Sequence, residues 1–261
     1  RREVESRKIL VQNELESELQ QAISKSKWFR NGQKLKENNL KRFNNIASDI
    51  ADSIYSETPV IHNELLNRHK PSSSAVAAQN VLLKAMVTNE SKARLGIVGY
   101  PAEGGLYETI LSRTGLHDQD EENSANYKFK QPSLYNHCNL IRAWEAANQY
   151  IQDNTKRNVG LDEISNLWEE KPFGIKRGLM PILITAYILS IKNNIAIYRE
   201  DIFQPEFTDL DTDYLARDLK SIQIRWVDLS QMSKHLLSGL SKTVTSLSGM
   251  PVIELEPLEV A

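Results

Sequence analysis

Apolar positions recur along this chain in two rhythms. Over residues 3–27, Val11, Leu15, Leu19 and Ile23 stand four apart, with Val4 and Lys8 leading in and charged or amide residues elsewhere. That spacing predicts one amphipathic helix with a narrow apolar stripe. The stripe fits the end of a longer, coiled-coil-like helix, and equally a terminal helix packed on its own domain. Asn31-Gly32 predicts a tight turn after it. Leu40, Phe43, Ile46, Ile50 and Ile54 predict a second helix over 39–55, stopped at Thr58-Pro59.

Residues 60–68 are expected to form a helix carrying Ile61, Leu65 and Leu66, ended by Pro71. Any of Ser72, Ser73 or Ser74 can cap the helix that follows to about Thr88, with Ala75, Ala78, Leu82, Ala85 and Met86 inward. LGIVGYPAEGG at 95–105 reads as a loop, followed by a helix over 106–114. The acidic stretch 118–126 reads as a mobile surface loop. A long helix is expected over 133–154, with Cys138 opening it.

The next block is the most explicit. It reads as a short helix over 161–170, a turn at Lys171-Pro172-Phe173-Gly174 and a very apolar helix over 177–192. Strands at 195–199 and 202–207 join at Glu200-Asp201, a helix covers 209–220, and 222–227 alternates like a strand. Helix, helix and hairpin together suggest a winged-helix-like unit. A last helix is expected near 229–240. The expected fold is mainly α: a helical domain with a winged-helix-like unit containing a small β-hairpin. The expected divisions are a helix end at 1–27, a helical subdomain at 28–130, a winged-helix-like subdomain at 131–230, and a C-terminal helix and tail at 231–261.

Composition narrows the function classes. The 261 residues carry 40% hydrophobic and 25% charged residues and a net charge of −2, so the whole chain is no polycation. Charge is nevertheless uneven. Residues 1–45 hold eleven Lys and Arg against six Glu, while 200–218 hold seven acids against one Arg. A single cysteine excludes an internal disulfide and fits a reducing cytoplasm. No apolar run is long enough for a membrane span. The chain starts without Met and ends in mid-stride, as a piece of a longer protein would.

Catalytic patterns are missing. Gly99 to Gly105 has glycines but no Lys-Ser/Thr after them, and Glu103 would repel a phosphate, so no P-loop is present. The five histidines show no H-x-x-x-H or H-x-H pair, and structural or surface roles are expected for them. His137 beside Cys138 is a poor base for a thiolate. No cofactor is expected on this chain, and no enzyme activity.

Two features suit binding. The basic arm carries Lys25, Lys27, Arg30, Lys34 and Lys36 among Trp28 and Phe29, cations and aromatics that can track and stack on nucleic acid. The corner Arg68-His69-Lys70-Pro71-Ser72-Ser73 places Arg68 and Lys70 before a helix N-terminus, where Ser72, Ser73 and free N–H groups can meet an anion. The bland alternative is a Ser-capped helix corner with solvated bases. The apolar helix over 177–192 stands where a recognition helix would, but apolar residues cover nearly its whole circumference, which predicts burial rather than groove reading.

Three blocks occur in one order: NELLNRHKPSSSAVAAQNVLLKAM, LGIVGYPAEGGLYETIL with TGLH, and KPFGIKRGLMPILITAYIL with NNIAIYREDIFQPEF. Together they resemble a region of large multi-domain bacterial P-loop ATP-binding proteins associated with restriction and anti-phage defence. The resemblance covers most of residues 28–227. It implies a C-terminal, non-ATPase part of such a protein, downstream of a long helix. ATP would be held by the parent protein, since none of that family's nucleotide-binding residues occurs here. The implied function is a non-catalytic coupling or protein-interaction module. Its partners would be other domains of the parent or separate proteins, with nucleic acid as the alternative partner.

Overall fold

The computed structural model describes residues 2–30, 32–34, 40–66, 71–121, 123–227 and 239. The chain divides into two compact units, residues 1–56 and 57–261. Among the described residues it is mostly helical, with eight α-helices and small antiparallel sheets. None of these helices is long and apolar enough to cross a membrane.

In the first unit, helix α1 spans Arg2–Lys25. Strands β1 (Phe29–Arg30) and β2 (Gln33–Lys34) pair antiparallel, Phe29 opposite Lys34 and Arg30 opposite Gln33. Gly32 closes the two-residue turn at φ 77°, a left-handed conformation that glycine adopts without strain. Helix α2 covers Leu40–Ile54, with Ile46 and Ile50 half-buried and Ile54 exposed.

The second unit opens with a departure from the expected pattern. Residues 60–66 carry no helix. The Asn63 side chain accepts from the backbone N–H groups of Leu65 (3.1 Å) and Leu66 (3.0 Å) and donates to Thr109 Oγ1 at 2.8 Å. Such local side-chain bonds offer the backbone a turn in place of a helix. Ile61 and Leu66 are still buried, so the apolar signal was sound and the period was not. Helix α3 (Ser73–Thr88) follows, its N-cap Ser72 accepting from Ala75 N–H at 3.2 Å.

A distorted turn at Ala93–Gly96 then leads into a loop pinned by Arg94. The Arg94 guanidinium pairs with Glu108 at 2.7 Å and donates to the carbonyls of Ile97 and Gly99. Helix α4 (Ala102–Leu106) starts four residues earlier than expected and continues as a wider π-type coil over Tyr107–Ser112. The acidic stretch is not a loop throughout. Strands β3 (His117–Gln119) and β4 (Tyr127–Phe129) form a hairpin around it.

Helix α5 covers only Ile141–Asp153. Ser133 and Asn136 side chains accept from Tyr135 and Cys138 N–H, and Asn139 sits at φ 53°, so the chain turns rather than coils before Ile141. Cys138 therefore opens no helix.

A short strand that was not expected, β5 (Val159–Gly160), comes next, and from there the order matches expectation: α6 (Leu161–Glu169), α7 (Met180–Ile191), β6 (Ile195–Arg199), β7 (Ile202–Gln204), α8 (Asp209–Arg217) and β8 (Ile222–Trp226). The four strands form one antiparallel sheet in the order β5-β8-β6-β7. The expected helix near 229–240 lies outside the described residues, apart from Gly239.

One core runs from Ile61 to Ile224 and draws on residues from both sides of position 130. Helix α7 is its axis, with ten of twelve residues buried. Trp144 of α5 stacks on Trp168 of α6 at 5.1 Å, and Tyr187 of α7 meets both edge-on at 5.6 Å. Their polar ends are all bonded: Trp144 to Ser190, Trp168 to the Ala143 carbonyl and Tyr187 to Asn148. Gly178, just before α7, lies so close to the first turn of the unit that a Cβ there would stand 2.1 Å from the Leu66 carbonyl oxygen.

Candidate functional site

Six of the nine expected site residues lie among the described residues. Lys25 ends α1, exposed, with Nζ 3.5 Å from Gln21 Oε1. Lys27 is exposed just beyond. Arg30 stands in β1, its side chain outside the described residues, and Lys34 is exposed in β2. The hairpin register sets Lys34 opposite Phe29, a cation next to an exposed ring. Lys36, Arg68 and Lys70 lie outside the described residues. Ser72 is engaged as the cap of α3 and shares a 2.9 Å hydrogen bond with Ser74 Oγ, while Ser73 is the exposed first residue of the helix.

Helix α7 is sunk in the core as its composition predicts, so it offers no face to a groove. The β6–β7 hairpin tip, Glu200-Asp201, is a two-residue turn with both residues at positive φ. Behind it, the fully buried Asp211 takes Arg199 at 3.0 Å and the N–H and hydroxyl of Thr208. Arg199 also stacks over the Tyr214 ring at 5.5 Å. This acid is spent on seating α8 against the hairpin.

The histidines divide plainly. His62 and His137 are exposed. His117 is buried, with Nδ1 2.9 Å from the Tyr107 hydroxyl and Nε2 2.8 Å from the Glu90 carbonyl, and it packs on Tyr127 and Phe129. Burial holds its pKa below the ordinary value and pushes Tyr107 up to about 12. The Cys138 thiol is buried and its pKa is raised by that burial, which disfavours the reactive thiolate. Among the described residues no three His, Cys, Asp or Glu side chains gather as a metal site.

A cleft of about 240 Å³ lies between α3, α7 and the β6–β7 hairpin, with Val87, Leu189, Ile195, Phe203 and Phe207 in its wall. Its Glu90 and Lys192 pair with each other at 3.0 Å, so each charge already has its partner.

The surface with the least internal explanation is on α1. Val11, Leu15 and Leu19 are 58%, 61% and 52% exposed, and Val4 is 74% exposed. An apolar helical stripe in water is unfavourable unless something covers it. The sequence shows this stripe directly. It does not show the His117 cage or the Arg199–Asp211 pair, because each joins residues whose separation in sequence carries no period. A scan against protein-family models and searches of curated proteins and solved structures return no match for this chain.

Proposed function

We propose that this chain is a non-catalytic coupling and protein-interaction module of a larger, cytoplasmic ATP-dependent protein that serves in anti-phage defence, and that α1 is its engaging element. The observation that carries the reading is the exposed apolar stripe of α1, a 24-residue helix. The second unit would be the body that α1 serves. Its order α5, β5, α6, α7, β6, β8, with β8 between β5 and β6, supports a winged-helix-like unit in which β7 and α8 elaborate the wing. Its would-be reading helix is the buried α7, which favours a scaffold over a DNA reader.

The test uses the ATPase portion of the parent protein, produced separately, and this chain as its ligand in a binding assay. Val11→Asp with Leu15→Asp should abolish association, since each acid desolvates badly in an apolar seam. Association untouched by both substitutions would overturn the reading.

A nucleic-acid module is the second reading, supported by Phe29 standing opposite Lys34 among exposed Lys25 and Lys27. It requires binding to single-stranded DNA or RNA that weakens steeply between about 50 and 200 mM salt. It also requires loss of that binding in the Lys25, Lys27, Lys34 and Lys36→Ala variant. Absence of binding at the lower salt eliminates it.

A further inference from the structure

We propose that α1 pairs with α1 of a second copy of this chain, antiparallel, about a two-fold axis beside Asn13. The inference rests on the reading of α1 as a protein-binding face, and makes the α1 pair, in which Val11 and Leu15 meet, the form that the ATPase portion binds. Along the helix, Val4, Lys8, Val11, Leu15, Glu18 and Ala22 fall at alternating steps of four and three, the seam of a two-stranded coil. Two of these six positions are charged, one of each sign, and all six are exposed.

Those two charges choose the partner and its direction. Laid antiparallel so that position numbers sum to 26, the layers become Val4 on Ala22, Lys8 on Glu18 and Val11 on Leu15, each made twice. Every apolar seam residue then meets an apolar one, and every charge meets its opposite. A parallel pair in register would set Lys8 on Lys8 and Glu18 on Glu18, two like-charge layers in the seam. Leu19 flanks the seam beside Ala22 and widens the apolar contact. Glu14, also on the flank, meets its own copy near the axis, a solvent-screened contact of small cost.

Sedimentation equilibrium of the 261-residue chain at about 0.15 M salt should show a species of twice the 29.8 kDa chain mass. Lys8→Glu or Glu18→Lys alone should weaken the dimer about tenfold or more, by putting like charges in the seam. The double variant Lys8→Glu/Glu18→Lys should restore it to within about threefold, because the layers become Glu on Lys again. Gln12→Cys faces its own copy across the seam only in the antiparallel register. It should yield a disulfide-linked dimer on mild oxidation, where the parent chain, with its buried Cys138, yields none.

A chain that stays monomeric at every concentration, single variants that dimerise as before, or a double variant that fails to recover would each overturn the proposal. If the chain is monomeric while Val11→Asp with Leu15→Asp still abolishes binding to the ATPase portion, only the self-pairing falls. If neither interaction is seen, the reading of α1 falls with it.

Discussion

Single residues in this protein are held by contacts that leave little slack. Gly178 is the sharpest case. A Cβ there would stand 2.1 Å from the Leu66 carbonyl oxygen, which is backbone and cannot swing aside. Gly178→Ala should therefore destabilise the second unit by about 2–3 kcal/mol, read as a lowered urea midpoint. His117 sets a pH dependence. Its neutral ring accepts from Tyr107 and donates to the Glu90 carbonyl, and burial depresses its folded pKa below the ordinary 6.5, despite the nearby Glu90 and Asp118 carboxylates. The unfolded chain takes up the proton first. Stability is thus fully present above pH 6.5 and falls as the pH drops below it. Urea midpoints between pH 7.5 and pH 5 (about one unit above His117's ordinary value and about one and a half below) should show this fall in the parent chain and a shallower one in His117→Phe. An equal slope in both would remove His117 as its source. At this scale the sequence was legible only in part. A serine cap among Ser72, Ser73 and Ser74 follows from type and place, though not which of the three it is, while Gly178 is one glycine among eleven until Leu66 is seen against it.

At the scale of elements, the β5 turn and the start of α6 depend on one clamp. Arg157 grips Glu163 through both carboxylate oxygens at 2.7 Å, Tyr150 donates to the same carboxylate, and the Gly160 N–H donates to it at 3.0 Å. The Arg157 hydrogen bonds are the largest cause holding the Glu163 pKa down at about 2. A depressed acid stabilises the fold above its ordinary value of 4.5 and loses that contribution as the pH falls toward about 2. Both partners are partly exposed, so Glu163→Gln should cost only about 1 kcal/mol near neutrality. The two proteins should converge in stability below pH 4.5, which acid titration of the unfolding midpoint checks. Elements with sustained periodicity were legible from sequence: α1, α3, α6, α7, α8 and the strands after α7. Those misread share a cause. At Asn63, Ser133 and Asn136, a short polar side chain bonds the nearby backbone and overrides helical spacing. Strands β3 and β4 are three residues each, too short for alternation to show, and rest on distant partners such as the Ser91 carbonyl, which takes the Tyr127 N–H.

The whole molecule keeps its two units on different footings. The second has a continuous core from Ile61 to Ile224 built around α7, with Trp144, Trp168 and Tyr187 joining three helices. Trp168→Ala should remove about 3–5 kcal/mol and broaden or abolish the cooperative unfolding transition followed by tryptophan fluorescence. Among its described residues the first unit has exposed apolar positions on α1 and no buried apolar side chain. The candidate surface was accordingly more legible than the fold. A helical stripe is written in consecutive residues, and so are the opposed charges at Lys8 and Glu18. The basic corner before α3 is equally visible in sequence, and its Arg68 and Lys70 fall outside the described residues.

The sheet order has a consequence for synthesis. The strand that joins the two halves, β8, lies between β5 and β6 yet comes last of the four in the chain. A nascent chain leaving the ribosome N-terminus first carries β5 with no strand to pair with and β6 with only the short β7. The apolar α7 emerges before the strand that completes the sheet. Folding of this unit must wait for residues 222–226 to clear the exit tunnel, and chains stalled short of Ile222 should be the ones that chaperones and proteases retain.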